Sequence, residues 1–134
     1  MENKFKFLTR LSLVLVYLVI LAGATVRMTG SGMGCPDWPK CFGYYIPPIQ
    51  QSQVLFQPNF KYKKGEMIIF NEEKLLVAKS NFNSSDFIDF KNWDTYEKHD
   101  YIIFNPVHTW IEYINRLIGA ISGIPILLFT IISV

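Results

Sequence analysis

Hydrophobic positions in this chain collect at its two ends. Leu11–Val26 holds no charged residue and Leu117–Val134 holds none, so each run approaches the roughly 20 apolar residues with which a helix crosses a bilayer. The pattern predicts two transmembrane helices, over residues 11–27 and 106–134, separated by a long loop over 28–105 and preceded by a short tip over 1–10. The first helix should stop near Arg27, because Gly30, Gly32 and Gly34 follow it and glycines favour turns. The second has a start signal in Asn105, a good N-cap, and Pro106, which suits the first helical position.

Within the loop the period changes. Residues 28–50 are rich in Gly, Cys and Pro, while 51–105 mix polar and aromatic residues. There Gly65–Phe70 and Lys74–Lys79 flank Asn71-Glu72-Glu73, a pattern that predicts two short strands and a tight turn, hence a small β-hairpin module. Tyr62, Gly65, Leu75, Val77, Ala78, Lys79 and Trp93 together resemble small carbohydrate-binding modules of the chitin-binding type. Those modules expose their aromatics; the alternative is that these rings form the hairpin's own core.

Composition fits a membrane protein: half of the 134 residues are hydrophobic, and they are unevenly placed. Lys4, Lys6 and Arg10 lie just before the first apolar run, so the positive-inside rule puts the N-terminus in the cytoplasm and residues 28–105 outside a bacterial-type cytoplasmic membrane. That segment carries eight Lys against nine Asp or Glu, a balance that gives no reason to expect nucleic acid. A secretory signal peptide is the competing reading of the first run, with Ala22-Gly23-Ala24 as its cleavage site, but its apolar region is long for that role. The second run ends without a Lys or Arg to hold it in the headgroups, so the chain is expected to be the N-terminal portion of a longer protein.

Cys35 and Cys41 are the only cysteines, and the inferred topology places them on the oxidising side, so a disulfide leads, either as a structural staple or as a redox pair. Zinc is disfavoured, since two thiolates without nearby His supply half of the usual four ligands. On the second helix, His108, Glu112 and Asn115 share one face, with Arg116 beside them. An ionisable residue entering a membrane is costly, which makes Glu112 the functional candidate; an i,i+4 salt bridge to Arg116 is the plainer explanation. His108 could serve as a ligand or hydrogen-bond partner, or sit at the water interface as an ordinary polar residue. Arg27 could snorkel to headgroups or meet an anionic group. His99 reads as a solvated loop residue, and Trp110 and Tyr113 suit the headgroup belt.

LAGATVRMTGSGMGCPDWPKCFG at Leu21–Gly43 and WIEYINRLIGA at Trp110–Ala120 resemble the end of the first helix, the first external loop and the start of the second helix in the heme A synthase family. The resemblance implies an all-α membrane fold of eight helices in two four-helix halves, of which this chain supplies two, with the hairpin-bearing loop as an addition. It implies an oxidoreductase that converts the C8 methyl of heme O to a formyl group, making heme A for cytochrome oxidase, with heme b as cofactor and heme O as substrate. The implied partners are the remaining helices, the enzyme supplying heme O and a membrane electron donor. Residue by residue, Cys35 and Cys41 match the family's loop cysteines, and Glu112 matches its glutamate and is the expected catalytic residue. The family pattern E-x-x-H-R places a heme-ligating histidine where this chain has Asn115, followed by Arg116; either His108 substitutes as iron ligand or ligation differs. The readings from other classes are a two-span membrane protein whose external loop binds a partner or glycan, and a quinone-linked thiol oxidoreductase using Cys35 and Cys41.

Overall fold

The computed structural model describes residues 2–71, 73–98 and 103–133. Two 28-residue helices, α1 (Glu2–Thr29) and α2 (Pro106–Ser133), pack against each other and carry a small β module between them in sequence. Both are long and apolar enough to cross a membrane, with mean hydropathies of 2.1 and 1.7.

Helix α1 begins well before residue 11. No Gly or Pro interrupts residues 2–10, and the Thr9 hydroxyl folds back onto the Phe5 carbonyl at 2.9 Å, so the basic tip continues the helix. At the other end the helix runs two residues past Arg27. Gly30 (φ +68°) stops it in a Schellman motif: the Ser31 N–H donates to the Val26 carbonyl and the Gly30 N–H to that of Arg27. Helix α2 starts where its cap requires, the Asn105 side-chain oxygen accepting from the N–H groups of Val107 and His108 at 3.0 and 3.3 Å.

The module is richer than a hairpin. Strands β2 (Met67–Phe70) and β3 (Lys74–Ala78) pair antiparallel across a turn with Asn71 at φ +52°; Glu72 lies outside the described residues. A third strand, β5 (Trp93–Thr95), joins β3, while β1 (Lys61–Tyr62) pairs with β4 (Phe82–Asn83) as a separate two-stranded ribbon. Because side chains alternate across a strand, Met67, Ile69 and Leu75 face one way and Ile68, Leu76 and Ala78 the other. Both faces are covered, and this is why the strand Met-Ile-Ile-Phe is apolar without alternation.

The second face holds Tyr62 and Trp93, 1% and 4% exposed, with Phe82 stacked on Tyr62 and edge-on to Trp93. Those rings are the module's core, so the exposed sugar-stacking platform considered from the sequence is not formed by them. The first face covers the disulfide loop: Cys35, Cys41 and Phe42 pack with Val54, Met67, Ile69 and Leu75.

Candidate functional site

The site is the contact between the disulfide loop and the outer turns of α2. Cys35 and Cys41 are bonded and buried, 1% and 0% exposed. The peptide Trp38–Pro39 inside their loop is cis. Gly34 brings the loop onto the helix: a Cβ there would lie 2.7 Å from the His108 carbonyl and 2.8 Å from the Thr109 nitrogen, so only glycine permits this approach. Beside it the Thr109 hydroxyl donates to the Gly34 carbonyl at 3.0 Å, and Cys35 Sγ lies 3.5 Å from the Thr109 carbonyl oxygen.

One turn further along, Glu112 is 5% exposed and accepts the Cys35 N–H on Oε2 at 2.8 Å. Its other oxygen pairs with Arg116. The guanidinium also donates to the carbonyls of Asp37 (2.5 Å) and Cys35 (2.9 Å), so one Glu–Arg pair satisfies the backbone of the loop at three points. A buried carboxylate is retained at reasonable cost only with such compensation. Asp37 completes the set by accepting the Gly43 N–H at 3.0 Å. Burial pushes its carboxyl above the usual aspartate range, against the lowering effect of the N–H groups it accepts and of Arg116. Gly43, at φ +82°, would place a Cβ 2.2 Å from the Gly65 carbonyl oxygen, which locks the loop to the module. The Tyr96 hydroxyl adds a bond to the Pro36 carbonyl at 2.9 Å, and that of Tyr113 one to the Tyr45 carbonyl at 2.8 Å.

The residues singled out from the sequence separate into two groups. Cys35, Cys41, Glu112 and Arg116 converge. Asn115 instead lines a cleft of about 320 Å³ between α1 and α2, walled by Leu18, Leu21, Ala22, Thr25, Ile111, Ile114 and Ile118. Residues 112 and 115 lie about 60° apart on the helix, enough to send one toward the loop and the other toward α1. His108 sits in the first turn of α2, half-buried, its Nδ1 buried without a hydrogen-bond partner. It does not line the inter-helix cleft. Arg27 is exposed where α1 ends, and His99 lies outside the described residues. Sequence reasoning missed Thr109, Asp37, Tyr96 and the role of Gly34. Thr109 shares the helical stripe of Glu112 and could have been read from that spacing; Gly34 and Tyr96 depend on contacts across 60 or more residues, and Asp37 joins a local bond to the Gly43 N–H with a distant one to Arg116.

The cleft's walls are apolar apart from Thr25 and Asn115. Its only amide, Asn115, does not fit iron ligation, for which proteins use His, Cys, Met or Tyr. Among the described residues no three His, Cys, Asp or Glu side chains gather as a metal site.

Residues 6–90 match the COX15-CtaA family of cytochrome oxidase assembly proteins, a stretch that takes in most of α1, the disulfide loop and most of the module; the chain belongs to that family. Among curated relatives, the heme A synthase of Shewanella oneidensis is 46% identical over 48 residues, covering 36% of this chain and 14% of its own length. That of Staphylococcus saprophyticus is 35% identical over 78 residues, covering 58% and 26%. That of Alkalihalophilus pseudofirmus is 44% identical over 66 residues, covering 48% and 22%. The chain thus aligns with about a quarter or less of each of these relatives. No solved structure matches it.

Proposed function

We propose that this chain forms the N-terminal two-helix portion of a heme A synthase, a membrane oxidoreductase that oxidises the C8 methyl of heme O to a formyl group for cytochrome oxidase. The observation that carries the reading is the family match over residues 6–90, whose aligned relatives are heme A synthases. Two membrane-length helices support it. The N-terminus lies in the cytoplasm and the loop outside, and the remaining helices of an eight-helix protein complete the heme sites. A heme O-supplying enzyme and a membrane electron donor serve the same reaction.

Bound heme, including a b-type heme, supplies the redox chemistry. This chain's residues supply the surroundings. The inter-helix cleft presents an apolar wall and the Asn115 carboxamide to a macrocycle, and Arg27, exposed where α1 ends, is a cation for its propionates, while Arg116 is taken up by Glu112 and the loop carbonyls. The cleft itself offers no iron ligand; His108, with a buried unpaired nitrogen, is the ligand candidate of this chain and lies outside the cleft. Glu112 is the catalytic candidate. Its oxygens hold the Cys35 N–H and Arg116, so proton transfer or stabilisation of a developing cation requires that the Arg116 contact open toward the substrate.

Extraction of hemes from membranes expressing the intact protein tests the reading. Glu112→Ala should abolish heme A while heme O accumulates; heme A at the parental level would sink the assignment. Glu112→Gln keeps an acceptor for the Cys35 N–H but not the charge that pairs with Arg116, so loss of heme A in that variant with disulfide reactivity at the parental level assigns the role to the charge and not to docking of the loop.

A further inference from the structure

The disulfide loop does not stand clear of the helices. Its tip residue Trp38, 69% exposed, lines a small cleft with Pro39, Tyr113, Arg116, Leu117 and Ala120. Leu117 and Ala120 belong to the charge-free part of α2, and Ala120 lies about 6 Å beyond Arg116 along the helix axis. The side of the loop that carries Trp38 and Pro39 therefore borders the start of the segment that is read as spanning the membrane, beside the last charged residue of α2. Irregular backbone at that depth is tolerable only when its polar groups are satisfied by protein, and here Arg116 and Glu112 do this for Cys35 and Asp37.

The surface around Trp38 continues the pattern. Tyr45 and Ile46, each 71% exposed, and Ile49, 64% exposed, follow the loop. Tyr45 is tied to α2 at Tyr113 through its carbonyl, which fixes its height on the helix. Lys40 places its ammonium 4.9 Å over the Tyr45 ring. Aromatic rings beside aliphatic tips, with a cation against one of the rings, is an arrangement that suits the boundary between phosphates and acyl chains.

We propose that Trp38, Tyr45, Ile46 and Ile49 form an interfacial anchor that inserts into the outer leaflet, with Lys40 at the level of the lipid phosphates. The proposal rests on the reading that α1 and α2 span the membrane. Its function is to fix the height of the disulfide loop, and with it Glu112, relative to the bilayer.

The test uses the intact protein in vesicles of phosphatidylcholine and phosphatidylglycerol carrying bromine at shallow acyl positions. The emission of Trp38 is isolated as the difference between the parent and Trp38→Phe. Most of that emission should be lost to the brominated lipid and little of it to aqueous acrylamide. Free quenching by acrylamide would place the loop in water, and quenching by neither would place Trp38 against protein, such as the remaining helices; both results overturn the proposal. Ile46→Trp adds a second reporter in case Trp38→Phe perturbs the loop, and should respond in the same way. Leu128→Trp, within the charge-free part of α2, reports on spanning itself: if deep-brominated lipid leaves it unquenched, the membrane reading fails along with the anchor. If it is quenched while the loop reporters are not, the anchor alone fails.

Discussion

The two faces of the three-stranded sheet are held by different physics. On one, Tyr62, Ile68, Leu76, Ala78 and Trp93 form a closed aromatic and aliphatic core with partners drawn from the module itself. On the other, Cys35, Cys41 and Phe42 meet Met67, Ile69 and Leu75, and the cluster is completed by Tyr113 and tied to α2 by Glu112, Arg116 and Thr109. The first face needs only its own residues. The second is finished by charged and polar bonds to a helix far away in sequence, so the position of the disulfide loop depends on α2 while the fold of the module does not.

The largest effect expected to break this comparison comes from Arg116→Met. It leaves Glu112 buried without its counter-charge, a loss of about 3–5 kcal/mol, and frees the carbonyls of Cys35 and Asp37. The Cys35–Cys41 disulfide should then be reduced and alkylated much faster than in the parent, while the near-UV signal of Trp93 stays unchanged. Equal reduction rates would show that the loop is held without the pair.

Ile68→Val sharpens the contrast from the other face. Removing one methylene from a fully buried site costs about 0.5–1.5 kcal/mol, so the module should unfold at a lower denaturant concentration with no change in disulfide reactivity. A change in reactivity would mean that the two faces act as one unit.

The smallest effect is a pH response. Burial pushes the Tyr44 phenol up to about 12, with the charge of Glu66 adding to the rise. Burial also raises Tyr62 and Tyr96, the latter by a smaller degree of enclosure that the nearby Asp37 charge reinforces. For an acid whose folded pKa is raised, the folded state holds its proton longer, so this contribution to stability is intact below pH of about 10 and is lost as pH rises toward 12. Phenolate absorbance should lag behind that of free tyrosine and then appear together with loss of the Trp93 signal. A normal tyrosine titration with the module folded would contradict the burial of these rings.

Much of the architecture was legible because it is local. The charge-free runs, the Asn105-Pro106 cap and the turn at Asn71 each act over a few residues, and each has its counterpart in the structure. The strand β5 was not legible, because Trp-Asp-Thr carries no alternation and pairs only through its long-range neighbour β3. Helix α1 extends through Lys4, Lys6 and Arg10 because basic side chains do not oppose helix, though a hydropathy boundary had excluded them. At the site, the pairing of Glu112 with Arg116 followed from i,i+4 spacing, whereas its grip on the Cys35 N–H could not be read from spacing, since it joins residues 77 apart. The shared face of His108, Glu112 and Asn115 also misled: a helix face as wide as theirs meets two neighbours, the loop and α1.

That 77-residue separation has a consequence for the order of biosynthesis. Cys35 and Cys41 are six residues apart, so both emerge almost together and can be joined long before α2 exists. At typical synthesis rates the ribosome needs about 4–15 s to add the residues between Cys35 and Glu112. The loop can thus be closed first, and the arrival of α2 then seats it.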